Sequence, residues 1–162
     1  MSDQLQPTPS FDQTYERIKS ILAEARQSAY RAINSAMVAA YWEIGRVIVE
    51  EEQRGLPRAE YGAGLLQEIS QRLSAEFGKG FDRYNLGKMR AFYLAYPIRD
   101  ALRPELCWTH YRLLLRVENP DARSFYENEA INARWSTREL ERQIHSLLFE
   151  RLALSRDREG VL

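Results

Sequence analysis

The sequence predicts an all-α fold of about six helices, and three observations support this prediction. Apolar residues recur at the helical spacing of three or four positions, and no segment shows the strict alternation of a half-buried β-strand. Helix start and stop signals divide the pattern into segments. The 162 residues, 44% of them hydrophobic, are enough for one compact domain with an appendage. We expect a long N-terminal helix, a helical hairpin and a three-helix C-terminal part.

The long N-terminal helix is predicted over residues 12–53. Ser10 and Gln13 have the spacing of a capping box, in which each side chain binds the backbone N–H of the other residue. Gly55 suits the left-handed C′ position that ends many helices, and the following Pro57 cannot continue a helix. The sequence therefore marks both ends of this helix.

The length of this helix has a consequence for assembly. At 1.5 Å per residue it would span about 63 Å, whereas a globule of this size has a diameter of about 40 Å. The helix must therefore bend, for example near Asn34 and Ser35, or project and find a partner. Its alanine-rich middle favours projection, because small side chains permit close helix approach. We expect a homodimer formed through this helix.

A helix-turn-helix-like hairpin is predicted over residues 60–96. Its first helix ends at Gly78, and Asp82 is placed to cap the second one. Phe81, immediately before the cap, can pack on Leu86 as a hydrophobic staple. In a DNA-binding helix-turn-helix, the second helix lies in the major groove with its first turns directed at base edges.

Three further helices are predicted over residues 109–154, the first of them short. Asn119 followed by Pro120 starts the second, with a capping side chain and a favourable proline at the first helical position. Ser136 and Glu139 have the spacing of a capping box and start the third.

The last helix is expected to continue without interruption to Leu152. Residues 11–155 would then form a single helical domain. A disordered lead-in at residues 1–10 would precede it, and a flexible tail at residues 156–162 would follow it.

The chain has no net charge, but its charges are unevenly distributed. Residues 79–116 contain eight cationic and three acidic residues, whereas the regions before and after this segment are net acidic. Most of the cationic residues are arginines, whose planar guanidinium pairs bidentately with carboxylate or phosphate. A local positive field of this kind draws a polyanion to one face of a protein.

Support for an enzyme or a metal site is weak. Cys107, the single cysteine, and His110 have half of a zinc-site spacing, but only His145 could add a further soft ligand. No glycine-rich phosphate loop or nucleophile elbow occurs. We therefore expect no catalytic residue, no metal and no cofactor. The lone cysteine and the lack of a signal peptide or a long apolar run predict a cytoplasmic protein without membrane contact.

Five short blocks occur in a characteristic order along the chain. They are Tyr41–Arg46 (YWEIGR), Glu76–Phe81 (EFGKGF), Lys88–Tyr93 (KMRAFY), Trp108–Arg112 (WTHYR) and Trp135–Ile144 (WSTRELERQI). In this order they resemble the N-terminal domain of the bacterial YhcG family, and the resemblance extends from Tyr15 onward. Members of that family look like two-part proteins, in which a helical N-terminal domain that is expected to bind DNA precedes a PD-(D/E)xK nuclease domain.

The nuclease signature of that family is absent from this chain. Its lysine follows an acidic residue by two places, and none of the three lysines here has an acidic residue at that distance. The resemblance therefore implies a non-catalytic module that targets a nuclease domain, in cis or in trans, to nucleic acid. A weaker analogy with the DNA-binding core of ParB-type partition proteins also points to the hairpin.

The hairpin and the basic segment supply the candidate contacts with nucleic acid. Arginine can bind guanine and asparagine can bind adenine in the major groove. Lysine or arginine can neutralise phosphates. Backbone N–H groups at the helix start after Gly80 would offer a further phosphate seat. DNA, duplex or branched, is the expected partner, with RNA as the alternative. The candidate residues are Lys79, Arg83, Tyr84, Asn85, Lys88, Arg90, Arg112 and Arg116.

Structural interpretations of the same features remain open. The hairpin is compatible with an ordinary αα-hairpin whose charged rim is solvated, and Arg112 and Arg116 are compatible with local ion pairs. Trp108 and Tyr111 are expected in the core rather than stacked on unpaired bases. The second function class is therefore a helical oligomerisation or protein-interaction module, built on the long first helix, that makes no contact with nucleic acid.

Overall fold

The computed structural model describes residues 10–55 and 59–159 as an all-α protein. Within these ranges there is no β-strand, and the chain forms seven α-helices and a short 3-10 turn. The fold-class prediction is confirmed. The elements are α1 (Phe11–Arg54), α2 (Ala59–Phe77), α3 (Arg83–Ala95), the 3-10 turn (Arg99–Ala101), α4 (Trp108–Leu114), α5 (Pro120–Asn132), α6 (Thr137–His145) and α7 (Leu148–Glu159).

The described residues divide into two compact units, one that ends at Ile33 and one that begins at Asn34. In the described part of the first unit, α1 begins with the predicted capping box. The Gln13 N–H donates to Ser10 Oγ at 3.3 Å, and the Ser10 N–H donates to Gln13 Oε1 at 3.2 Å. Every side chain from Ser10 to Ile33 is exposed. The described residues of this unit therefore form no hydrophobic core of their own.

The second unit is built around one large hydrophobic core. The later turns of α1 contribute Val38 and Trp42, and Phe92 of α3 lies with them, fully buried. Burying a large apolar side chain contributes about 1.5–3 kcal/mol relative to leaving it exposed, so this cluster supplies much of the stability. The C-terminal half of the chain completes the core with Leu106, Tyr111, Leu113, Leu114, Val117, Ala122, Tyr126, Ala130 and Leu140.

A smaller core lies where the hairpin meets α1. Ile48 of α1 packs with Leu86 and Met89 of α3, and all three side chains are buried. Phe81 also packs on this cluster, as the predicted hydrophobic staple requires. The partly buried side chains of α2 that cover it are Leu66, Ile69 and Leu73.

Helices α1 and α3 cross in close contact at Gly45. A Cβ atom at this position would overlap the carbonyl oxygen of Met89 and press on the side chain of Tyr93. One turn earlier, the Trp42 indole N–H donates to the carbonyl oxygen of Tyr96, the C-cap residue of α3, at 2.6 Å. The glycine sets the separation of the two helices, and the indole sets their register.

Gly55 has a different role from the predicted one. Its φ lies outside the left-handed region, although α1 does end at Arg54. A Cβ atom at Gly55 would overlap the ring of Tyr61, whose hydroxyl donates to Glu51 at 3.1 Å. The glycine therefore makes room for the Tyr61 ring at the end of α1. The predicted stop at Pro57 lies outside the described residues.

The cap predictions for α5 and α6 are confirmed in their main parts. Asn119 Oδ1 accepts a hydrogen bond from the Asp121 N–H at 2.9 Å. Ser136 Oγ accepts one from the Glu139 N–H at 3.2 Å. The Glu139 carboxylate binds Arg142 at 2.6 Å, and no hydrogen bond from the Ser136 N–H back to it is formed. The predicted capping box is therefore only half made.

The prediction of one uninterrupted last helix is wrong. The chain breaks between α6 and α7 because Leu147 adopts a left-handed conformation with φ of 53°. The hydroxyl of the buried Tyr126 stabilises this break by accepting the Phe149 N–H at 3.1 Å. That N–H belongs to the first turn of α7, where helix donors have no partner within the helix. Helix α7 then continues to Glu159, into the segment that was expected to be a tail.

We expect Gly45→Ala to lower the free energy of unfolding by about 1–3 kcal/mol, because the added methyl group meets a backbone carbonyl that cannot rotate away. Urea unfolding followed by circular dichroism measures this change. Gly87→Ala is the matched control, since a Cβ there meets nothing within 4 Å and alanine favours a helix. Equal stability of the two variants would show that α1 and α3 are not in close contact at Gly45.

Candidate nucleic-acid interface

Two glycines with positive φ form the turn between α2 and α3. Gly78 has φ of 80° and Gly80 has φ of 107°, values that other residues adopt only with strain. A Cβ atom at either position would meet no neighbour, so conformation rather than space requires glycine here. Lys79 lies between them with an exposed side chain. The turn therefore presents a cation immediately before α3.

The N-cap of α3 engages two groups that were predicted to bind nucleic acid. Asp82 Oδ1 accepts the Asn85 N–H at 2.8 Å, which confirms the predicted cap. The Asn85 side-chain amide donates to Asp82 Oδ2 at 2.9 Å, so one of its two N–H donors is already used within the protein. The Asp82 carboxylate thereby binds one of the backbone N–H groups that were expected to bind a phosphate after Gly80. A phosphate at this helix end would have to compete with Asp82.

The first turns of α3 present a cationic and aromatic surface. Arg83 and Tyr84 are exposed because Leu86 and Met89 direct the opposite face of the helix into the smaller core. The half-buried Lys88 places its ammonium 5.2 Å from the centroid of the Tyr84 ring, within the range of a cation–π interaction. Arg83 and Tyr84 therefore point outward, whereas Asn85 and Lys88 are half-buried.

Two other candidate residues are held in ion pairs. Arg90 Nε lies 2.7 Å from Glu52 Oε2, which joins α3 to α1, and the Glu52 side chain is largely buried. Arg116 Nη1 lies 3.4 Å from Glu141 Oε1, and both side chains are about half exposed. Neither arginine presents a full positive charge to a ligand. Arg112 of α4 is half-buried, and no ion pair to it occurs among the described residues.

The folded structure leaves fewer unpaired cations in residues 79–116 than the sequence suggests. Four of its eight cationic residues have acidic partners within 4 Å. Arg99 lies 3.7 Å from Glu43 and Arg103 lies 3.8 Å from Glu105, in addition to the two pairs of Arg90 and Arg116. Three of the four acidic partners lie outside the segment in sequence. Of the eight cationic residues of this segment, the four that have no acidic partner within the described residues are Lys79, Arg83, Lys88 and Arg112.

A shallow cleft of about 260 Å³ brings together residues that the sequence did not connect. Val38 of α1 lines it, together with Arg99, Arg103 and Leu106 from the segment that joins α3 to α4. Both arginines face acidic neighbours at 3.7–3.8 Å, so the cleft carries no strong unbalanced charge.

The aromatic residues around α4 belong to the core. Tyr111 is fully buried, and its hydroxyl accepts the Arg103 N–H at 2.7 Å. Burial raises the pKa of Tyr111 to about 12. Trp108 packs on Phe92 and Tyr41, with ring centroids 5.2 Å and 5.0 Å away. The expectation that Trp108 and Tyr111 are core residues is therefore confirmed.

Cys107 and His110, which have half of a zinc-site spacing, form a helix cap. The thiol Sγ lies 3.2 Å from His110 Nδ1, which also accepts the Cys107 N–H at 3.2 Å. His110 Nε2 lies 3.0 Å from the Trp135 carbonyl oxygen, and this contact fixes the ring. Burial opposes ionisation of the thiol, but the interactions of the thiol with His110 outweigh it and lower the pKa of Cys107 to about 7.

The described residues show neither a metal site nor a membrane-spanning helix. No group of three or more histidine, cysteine, aspartate or glutamate side chains is arranged there to hold a metal ion. No helix in that part of the chain combines the length and the apolar character needed to cross a bilayer.

Comparison with known proteins places the chain in a family. The profile of the DUF1016 N-terminal domain matches residues 17–151. The chain belongs to the DUF1016 N-terminal domain family. A curated relative from Escherichia coli (strain K12), named "Putative nuclease YhcG", is 36% identical over 187 aligned residues, which are 96% of this chain and 50% of the relative. The chain thus spans about half the length of that relative. No solved structure matches it.

We expect the alkylation rate of Cys107 by iodoacetamide to rise with pH around a midpoint of about 7. In the variant His110→Gln the thiol loses its side-chain interaction with the imidazole, so the midpoint should move up towards about 8.5, the value of a free cysteine. The rate is measured by mass spectrometry between pH 5 and 10. Identical midpoints in the two proteins would show that His110 does not lower the pKa of this thiol.

Proposed function

We propose that this DUF1016 N-terminal domain is a non-catalytic nucleic-acid-binding module, with DNA, duplex or branched, as its partner. The observation that carries the proposal is a set of cations without acidic partners, Lys79, Arg83 and Lys88, on a tight turn and the first two turns of the capped helix α3. We name this surface the cationic turn. RNA is the alternative ligand.

The position of the cationic turn, at the turn before a second helix, supports a contact with DNA of the helix-turn-helix type. Arg83 is exposed at the first position of α3, where a recognition helix directs side chains at base edges. Lys79 and Lys88 flank it and are suited to phosphates. Tyr84 adds an apolar ring beside the cations. Asn85 is excluded from this set because its amide is bound to Asp82, and Arg90 because it is paired with Glu52.

The family supports a role that is linked to a nuclease. The E. coli relative carries a nuclease name and is about twice as long as the region that matches this chain. In the described residues, no metal cluster or catalytic group accompanies the cationic turn. We infer that the domain delivers a nuclease domain, in cis or in trans, to its substrate and performs no bond cleavage itself.

The dependence of binding on salt tests this proposal directly. Fluorescence anisotropy should detect binding of the chain to labelled duplex, branched or single-stranded DNA, or to RNA, at low ionic strength. Binding to phosphates releases counterions, so the association constant should fall as the salt concentration rises. A plot of its logarithm against the logarithm of the salt concentration should have a slope of about −0.9 per phosphate contacted on duplex DNA. Absence of binding to every one of these ligands at low salt would reject the proposal.

The double variant Arg83→Ala with Lys88→Ala should weaken binding by about 10- to 100-fold and make the salt slope shallower, because two contacts are lost. Its thermal midpoint should hardly change, since neither cation is held in an ion pair. The control is Arg138→Ala with Arg156→Ala, which removes the same charge from exposed positions on α6 and α7. Equal losses of affinity in the two variants would show that overall charge, and not the cationic turn, determines binding.

A second candidate function is a helical assembly module, and the surface of α1 favours it. In the described part of the first unit, Phe11, Tyr15, Ile18 and Leu22 are each more than half exposed. Apolar side chains in such number on one helix are suited to a partner of similar chemistry. Association through them would respond little to salt, so the titration above distinguishes the two candidates.

A further inference from the structure

The first unit carries an apolar seam with the repeat of a coiled coil. Seven residues follow one another at alternating spacings of four and three positions, and all of them are exposed. This 4-3 alternation is the heptad pattern that keeps one edge of a helix against a partner. The seam consists of Phe11, Tyr15, Ile18, Leu22, Ala25, Ala29 and Ala32.

The seam changes in size along its length. Its first four members are large, with Phe11 84% exposed and Tyr15, Ile18 and Leu22 each between 54% and 55% exposed. Its last three members are alanines. A partner that fits this surface must therefore present small side chains opposite the first half and large ones opposite the second half.

We propose that the seam binds the seam of a second copy of this chain in antiparallel orientation, an inference that rests on the assembly function described above. An antiparallel copy reverses the gradient in size. Tyr15 then faces Ala32 of the second copy, Ile18 faces its Ala29, and Leu22 faces its Ala25. Each layer joins one large and one small side chain, so the separation of the two helices is uniform.

A parallel pair would not have this uniformity. The large residues Phe11 and Tyr15 would meet their own copies at one end of the seam, and Ala29 and Ala32 would meet theirs at the other. Helix separations vary between about 8 and 10 Å with the size of the contact side chains. Two straight helices cannot satisfy both ends, and the alanine layers would be left underpacked. The sequence of sizes therefore favours the antiparallel arrangement.

Charge opposes this arrangement only weakly. In the antiparallel pair, Lys19 lies near Arg26 of the second copy on the flank of the seam, and by symmetry Arg26 lies near Lys19 of the second copy. Each like-charge pair at an exposed site changes an association constant by about twofold, so the two pairs together weaken the dimer by about fourfold. Glu16 lies 3.7 Å from Lys19 on the same helix and reduces the repulsion further. The fit of the layers therefore outweighs the charge pattern.

The area of the seam sets the expected strength of the dimer. Four large side chains of the seam, together with the flanking Ile21, are each more than half exposed, the seam members being Phe11, Tyr15, Ile18 and Leu22. With about 100 Å² for each of these and a smaller share for the alanines, pairing would bury roughly 1,200 Å² over both copies. This is the lower limit of specific interfaces, so we expect a dimer that dissociates on dilution.

Sedimentation equilibrium of the full chain over a range of concentrations tests the association. The wild type should show a monomer–dimer equilibrium, and Leu22→Glu should weaken the dimer by at least tenfold, because it places a charge in a seam layer. Tyr30→Glu is the control, since Tyr30 is exposed on the same helix but lies about a third of a turn from the seam. A wild-type monomer at all concentrations, or equal effects of the two substitutions, would overturn the proposal.

Disulfide trapping tests the orientation, in a Cys107→Ser background that removes the native thiol. An equimolar mixture of Ile18→Cys and Ala29→Cys chains should form a mixed cross-linked dimer, because these residues face each other in the antiparallel pair. Ile18→Cys alone should not cross-link, since its two copies would be about 16 Å apart along the axis. Efficient cross-linking of Ile18→Cys with itself would overturn the antiparallel arrangement.

These measurements contain no nucleic acid, so their failure is separate from failure of the nucleic-acid proposal. If the chain is a monomer that binds DNA through the cationic turn, only the proposal of antiparallel pairing is wrong. If it is a dimer that binds no nucleic acid, only the proposal of nucleic-acid binding is wrong.

Discussion

The close crossing of α1 and α3 at Gly45 is the constraint on which the second unit depends. The crossing lets Trp42 reach the carbonyl oxygen of Tyr96, and it holds Met89 against α1, so that the large and small cores share the same two helices. Any residue larger than glycine would push the helices apart and disturb both cores at once. The chemistry of the surface is then decided by which face of α3 the crossing leaves uncovered.

The orientation of α3 sorts the basic residues into two groups. Arg90 is on the side that faces α1, where it pairs with Glu52, whereas Arg83 and Lys88 form no ion pair among the described residues. A count of charges along the sequence cannot separate these groups, because Glu52 lies 38 residues away from Arg90. The surface that remains for a polyanion is the cationic turn, which is smaller and better defined than the basic segment suggested.

Local chemistry made most of the fold predictable, and long-range contacts account for the misses. The caps at Ser10, Asp82, Asn119 and Ser136 involve residues two or three positions apart, so the sequence contains both partners. The break at Leu147 depends on the Tyr126 hydroxyl, 23 residues before the N–H that it binds. The same limit applied to the candidate site. The outward direction of Arg83 followed from the helical period, but the ion pairs of Arg90 and Arg116 did not.

The distance along the chain between the two crossing helices affects the order of events during synthesis. The Trp42 indole binds a carbonyl that lies 54 residues later. At a translation rate of about 5–20 residues per second, roughly 3–11 s pass between the appearance of these two groups. During that interval the apolar stripe of α1 has no α3 to cover it, and a neighbouring nascent chain or a chaperone has time to meet it first.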